Sequence, residues 1–360
     1  MSKKYARMML VSVLILMLVL GACAPSQPSA PAAPAQPATP GEPAAGSGDA
    51  PDPDQQIRAG VIFAIPNPRM GGGFDRAQMV GLDYLQDVLG WEIVIAEDVP
   101  LPQVNDVAAS YLDMGFDVVI YTSSAMEGPW LELAPQYPDQ WLVVASMASQ
   151  LPEGTDRAAS FFYDFYVYGI LQGIVLGLTT QTNEVGVIGG MPIPTTGIMF
   201  SGVIEGARAV NPDVNVTINY VGDWVDVPRH REISELMIGN GVDVIFALTG
   251  PGQMGVFEAA EANDVWVVGY AHDMWDMAPN AIVTSVLMDT TYKFRALAEG
   301  IMSGTLQPSL NELGSEAMGV ADFRGSLPAE QEAAIQDAVA AFQRGELEVP
   351  RVDHSADFMP

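Results

Sequence analysis

The sequence predicts an α/β protein: two doubly wound lobes, each a mostly parallel sheet covered by helices, with a hinge and a ligand cleft between them. Three observations predict it. First, residues 242–248 (VDVIFAL) are a short apolar run rich in β-branched and aromatic residues. A Gly/Pro cluster at 249–255, a helical stretch at 256–263 and a second apolar run at 265–270 (VWVVGY) follow. Near-continuous apolar strands joined by a helix suit a parallel sheet buried on both faces. Second, the phrase occurs twice. Residues 112–120 (LDMGFDVVI) repeat the helix end, glycine, aspartate and buried strand of 238–245 (IGNGVDVI), and each copy leads through a loop and helix to a strand with a tryptophan near its start, Trp141 or Trp266. Two copies of one supersecondary unit predict two similar lobes. Third, strand and helix patterns alternate along most of the chain. Ligands of open α/β sheets sit beyond the carboxyl ends of the strands, so two facing lobes would enclose a ligand there.

At 360 residues and 49% apolar content the chain is long and apolar enough for two ordinary cores. Its 15 basic and 44 acidic residues give a net charge of −29, which argues against nucleic-acid binding, since phosphate contact needs a basic face. Residues 1–23 read as a lipoprotein signal peptide. Lys3, Lys4 and Arg7 precede an apolar run at 8–20 that is too short for an ordinary membrane span, and the segment ends in Leu20-Gly21-Ala22-Cys23. That ending resembles the bacterial lipobox, which makes Cys23 the lipidation site. Cys23 is the single cysteine, so no internal disulfide forms. Residues 24–56 are mostly Ala, Pro, Gly and Ser with almost no large apolar side chain, a linker that cannot build a core.

The elements follow in order. A strand at 58–65 leads into Pro66-Asn67-Pro68-Arg69-Met70-Gly71-Gly72-Gly73-Phe74-Asp75 and a helix from about Asp75 to 89, stopped by Gly90. Strands at 91–96, 116–121, 141–145 and 159–163 alternate with helices at 104–114 and 127–136. The apolar helix at 165–178 carries Gly169, Gly173 and Gly177, a spacing read as close packing against a sheet. A strand at 184–188, the loop 189–194 and a helix to 210 open the second lobe. A strand at 214–221, Gly222-Asp223-Trp224 and a helix at 228–239 lead to the repeated unit. A strand at 281–287 and helices at 290–303 and 331–344 complete the chain. The N-terminal lobe is thus expected at 57–165 plus about 283–325, and the C-terminal lobe at 166–282 plus about 326–349.

Gly250-Pro251-Gly252-Gln253-Met254-Gly255 matches a dinucleotide-binding pattern in letters, with Asp273 at 18 positions beyond. Pro251 removes a backbone N–H that a phosphate cradle needs, and the unit is not the first βα of the chain, so a glycine-rich turn lining the cleft is the stronger reading. His230, His272 and His354 are far apart in sequence and form no metal motif. Ser123, Ser124 and His272 stand at strand ends of opposite lobes, which leaves a Ser–His pair open, though binding ranks ahead of catalysis. Phe74, Tyr121, Trp224, Tyr270 and Trp275 fall at or just past strand ends, beside Asn67, Asp75, Ser123, Asp223 and Asp273. Aromatic faces with a carboxylate suit a flat heteroaromatic ligand. Some of these aromatics serve lobe packing, Tyr121 and Tyr270 being the candidates for that role.

Residues 186–209, with Gly189-Gly190-Met191-Pro192-Ile193-Pro194, then Ala209-Val210-Asn211-Pro212-Asp213, 241–246 (GVDVIF) and 280–286 (NAIVTSV), resemble the basic membrane protein (BMP) family, the lipid-anchored substrate-binding proteins of ABC importers. The resemblance implies a type I periplasmic-binding-protein fold with purines or nucleosides as cargo. Nucleoside-binding members carry S-F-N-D after the first glycines. Here Phe74-Asp75-Arg76 stands there, with Asp75 in the Asn place. The ribose-gripping acid near Ala271 and the Lys at Leu287-Met288 are absent. The resemblance therefore points to members that bind free purine bases, with Phe74 and Trp224 stacking and Asp273 contacting the base; Asp75, Ser123 and Met191 are the further candidates for the site. It implies a monomer with no cofactor and no reaction, tethered to the extracytoplasmic face of the cell membrane and passing its ligand to ABC permease subunits. A nucleoside-binding protein, a ligand-sensing receptor lipoprotein and a nucleoside hydrolase are the competing classes.

Overall fold

The structure is a computed structural model that describes residues 56–70 and 73–359. The expected signal peptide with Cys23 and all but the last residue of the expected linker lie outside the described residues. No helix among the described residues is long and apolar enough to cross a membrane.

The first lobe begins with β1 (Arg58–Ile62), α1 (Gly73–Asp87), β2 (Glu92–Ala96), α2 (Val104–Asp113), β3 (Val118–Tyr121), α3 (Glu127–Leu133), β4 (Trp141–Val144) and β5 (Ala158–Tyr163). The chain then crosses into α4 (Phe165–Thr179), β6 (Glu184–Gly189), α5 (Pro194–Val210), β7 (Asn215–Tyr220), α6 (Val227–Gly239), β8 (Val244–Leu248), α7 (Gln253–Ala262), β9 (Trp266–Ala271) and β10 (Ile282–Met288). It returns through α8 (Thr290–Met302) and β11 (Ser309–Leu313), crosses again to β12 (Met318–Val320) and α9 (Ala329–Gln343), and reaches a short α10 (Ser355–Phe358). Two six-stranded sheets result, ordered β11-β5-β4-β3-β1-β2 and β12-β10-β9-β8-β6-β7. Every pairing in the first is parallel, and in the second only β10–β12 is antiparallel.

Alternation within the strands builds a core on each face of each sheet. In the first lobe Val61, Ile120 and Val143 join Leu82, Leu85 and Phe294 on one side. Their neighbours Ile62, Val119, Tyr121 and Leu142 join Leu112 and Trp130 on the other. In the second lobe Val187, Phe246 and Val268 meet Leu171, Phe200 and Val203, while Ile188, Ile245 and Val267 meet Val256 and Phe257. Both faces being buried explains why these strands read as unbroken apolar runs. Each fully buried large side chain of this kind contributes about 1.5–3 kcal/mol.

Three features differ from the sequence expectation. The strand at 282–288 pairs with β9 in the second sheet, so the chain returns to the first lobe at Asp289 rather than near 283. β12 likewise adds to the second sheet, so residues 318–320 belong to the second lobe. The glycines of α4 face α5 rather than a sheet. A Cβ at Gly169 or Gly173 would strike the carbonyl oxygens of Met199 or Val203, and one at Gly202 or Gly206 those of Tyr166 or Ile170. Two helices touching backbone to backbone require this bare seam.

The three crossings are hydrogen-bonded to one another. Asp164 N donates to Leu313 O at 2.9 Å, and Asp289 N donates to Ala317 O at 2.8 Å. Asp164 also caps α4, its Oδ1 accepting from Tyr166 N at 2.9 Å and Val167 N at 3.2 Å. A bundle of three adjacent crossings is a hinge on which two rigid sheets can turn.

Candidate functional site

The carboxyl ends of both sheets face a cavity of about 260 Å³. The first lobe supplies most of its wall. Ala64 and Ile65 follow β1, Phe74 and Asp75 occupy the first turn of α1, Thr122, Ser123 and Ser124 follow β3, and Ser146 and Met147 follow β4. Phe165 comes from the hinge, and Thr195 at the start of α5 and Tyr270 on β9 close the far side. Small-molecule pockets begin at about 300 Å³, so the space suits one compact ring system.

Asp75 gives the cavity its charge. Burial raises its carboxyl to about 6, opposed only by its own backbone N–H, and no cation contributes. Burial first, and the Asp75 charge second, push the Tyr270 phenol well above its ordinary range. Phe74 lines the cavity, packs against the core beneath it, and has the Lys293 Nζ 5.6 Å from its ring centroid. Lys293 itself is fully buried. Its Nζ donates to Gln78 Oε1 at 2.5 Å and Ala145 O at 3.0 Å, and burial lowers it to about 7. Gln78 Nε2 in turn donates to Ala145 O at 2.7 Å and Thr122 O at 3.3 Å. The strand ends that carry Ser123 and Ser146 are thereby fastened to α1 and α8. Ser123 Oγ accepts from Ala125 N at 3.3 Å and starts the helical turn after β3.

The remaining expected site residues stand on the second lobe's loops, outside the cavity wall. Trp224 lies against Gly190, where a Cβ would collide with the indole, and its carbonyl accepts from Gly252 N at 2.9 Å. Met191 contributes its carbonyl to Thr196 Oγ1 at 3.1 Å. Asp273 is exposed and ion-paired with Arg324. Phe74, Asp75 and Ser123 are thus brought together, whereas Met191, Trp224 and Asp273 are not part of that wall. Sequence reasoning missed Thr195, Phe165, Ser146 and Met147. Ser146 was open to discovery, because it directly follows the strand expected at 141–145. Thr195 and Phe165 carry no local signal.

His272 is buried beside the Gly73 backbone. Burial first, and the nearby Arg76 charge second, lower it to about 4. It makes no hydrogen bond to Ser123 or Ser124, so no Ser–His pair is assembled here. No group of three His, Cys, Asp or Glu side chains that could hold a metal occurs among the described residues.

Residues 59–321 match the Bmp family model, described as ABC transporter substrate-binding protein PnrA-like. A purine-binding protein from Brucella abortus is 23% identical over 261 residues, 72% of each chain. A CD4+ T-cell-stimulating antigen from Listeria monocytogenes is 27% identical over 199 residues, 50% of this chain and 56% of the relative. The chain thus spans about half the length of that relative. A solved ABC transporter system solute-binding protein from Conexibacter woesei has a TM-score of 0.69 at 21% identity, covering 82% of this chain and 99% of the other. At that identity the likeness establishes a shared fold.

Proposed function

For a chain that belongs to the Bmp family of PnrA-like ABC transporter substrate-binding proteins, we propose capture of a free purine base, or a closely related small heteroaromatic, between the lobes and its delivery to a membrane permease. The observation that carries this reading is the pairing of Phe74 with Asp75 on one turn of α1, both on the cavity wall. The ring offers a stacking face, and the carboxylate, largely buried, accepts ring N–H groups. Ser123, Ser146 and Thr195 supply hydroxyls around the rim of the same space. The purine-binding relative supports the choice of cargo.

The cavity takes wall from both lobes, so ligand contacts would favour the closed arrangement over the open one. Cys23 is the proposed lipid anchor and residues 24–56 the proposed tether, which keeps the binding domain at the extracytoplasmic face. Binding and release without chemical change complete the proposal.

The test is thermal unfolding of residues 57–360 against bases, nucleosides, sugars and amino acids. A ligand that binds only the folded state raises the midpoint with its concentration. Shifts with adenine, guanine or xanthine but not with their nucleosides are the expected result. Shifts with nucleosides would transfer the assignment to that cargo, and no shift with any purine would remove it.

A further inference from the structure

The family match ends at residue 321, and residues 350–359 lie well beyond it. This segment starts at the hinge. Arg351 Nη1 is 2.7 Å from Asp164 Oδ2 and Nη2 is 3.3 Å from Oδ1, a two-pronged contact with the residue that caps α4. The same guanidinium lies 4.9 Å from the Tyr166 ring centroid. The Tyr166 hydroxyl donates to Pro350 O and accepts from Val352 N, both at 2.8 Å. Further along, His354 N donates to the buried Ser201 Oγ at 2.9 Å, and His354 Nε2 is 2.7 Å from Glu205 Oε1.

The segment finishes beside the first cleft loop of the second lobe. Phe358 packs on Phe200 and Tyr220, with ring centroids 6.4 and 6.5 Å apart. Met359 fills the place where a Cβ on Gly197 would project. The Tyr220 hydroxyl is 3.1 Å from Thr196 Oγ1, which is itself 2.8 Å from Ile193 O and 3.1 Å from Met191 O. Thr195, the adjacent residue, is part of the cavity wall.

We propose that residues 350–359 form a strap that runs from Asp164 at the hinge to the start of α5 and positions the loop 190–196, with Phe358 acting through Tyr220 and Thr196. A segment that merely covered apolar surface would need no bidentate ion pair at one end, and at the other Phe358 packs on the ring of Tyr220, whose hydroxyl meets Thr196. The part of this inference that concerns ligand affinity rests on the proposed cleft function, while the positioning of the loop does not.

The test compares the wild-type chain with a chain ending at Val349, with Phe358→Ala, and with the conservative Phe358→Tyr. Backbone amide exchange is followed without ligand, and adenine affinity is measured by calorimetry. In the truncated chain and in Phe358→Ala, exchange at 190–197 should accelerate about tenfold or more, with the strands at 185–188 and 244–248 unaffected. Adenine binding should weaken by roughly tenfold through loss of pre-organisation, and Phe358→Tyr should restore both. Unchanged exchange at 190–197 in Phe358→Ala, or acceleration spread evenly over α5 and β6, overturns the strap. If the truncated chain does not fold, Phe358→Ala decides. If the wild-type chain binds no purine but 190–197 responds as stated, the cargo assignment fails and the strap stands.

Discussion

Asp273 and Arg324 face each other as an ion pair, with the guanidinium also 5.0 Å from the Trp275 ring centroid. The aspartate that the family resemblance placed against the ligand therefore already has a partner, on a loop at the end of β9 and away from the cavity wall. Asp75, by contrast, is on that wall, and its carboxyl is raised by burial with no cation lowering it.

This contrast predicts different consequences for two aspartates. Asp273→Ala should change purine affinity by less than about fivefold, as befits an exposed pair. Asp75→Ala should abolish detectable binding. Calorimetric titration of both variants with adenine checks the ranking, and loss of binding in Asp273→Ala alone would reverse it.

Asp75 should also weaken the ligand-free fold. Its folded value of about 6 lies above the ordinary 3.8. The folded state thus holds a proton between those values that the unfolded chain has lost. Stability contributed by the protonated form is complete below about 3.8 and is lost as pH rises through 6. Asp75→Asn should therefore stabilise the empty protein at pH 7 by roughly 1–2 kcal/mol, discounted for partial exposure. The gain should vanish near pH 4, and denaturant midpoints at the two pH values measure it.

Lys293 behaves in the opposite sense. Burial lowers it to about 7 from 10.5, so between those values the unfolded chain binds the extra proton and stability rises with pH. Lys293→Met removes this dependence. The variant's thermal midpoint, relative to wild type, should be higher at pH 6 than at pH 9. A difference that does not move with pH would mean that the ammonium stays charged throughout.

The α4–α5 seam has no room for a methyl group. Gly202→Ala would press on Tyr166 O and Gly169 Cα and should destabilise by about 1–3 kcal/mol through overpacking. An equivalent change at Gly239, where a Cβ meets nothing within 4 Å, should be neutral or mildly stabilising. Urea unfolding of the two variants separates packing from propensity.

The strands and helices were legible wherever both faces are buried or the helix carries a clear stop, as at 242–248 and Gly90. β11 was not, because Ser309-Leu310-Asn311-Glu312-Leu313 sits at a sheet edge and mixes polar with apolar side chains. β12 is three residues long, too short for any period. The return point was misplaced because sheet membership is a property of pairing, and β10 looks the same from sequence in either lobe. In the candidate site, Phe74 and Asp75 were readable as the start of the helix after the first glycine-rich loop, and Ser123 as a residue just past a strand end. The placement of Trp224 against Gly190 depends on backbone approach across two loops, which no local pattern encodes.

Calorimetric titration of adenine and adenosine into wild-type protein and Phe74→Ala decides whether the cavity is a purine site. Wild type should bind adenine saturably and adenosine weakly or not at all, and Phe74→Ala should lose at least about tenfold in adenine affinity. Unaltered adenine affinity in Phe74→Ala, or no binding of either compound by wild type, would contradict that assignment.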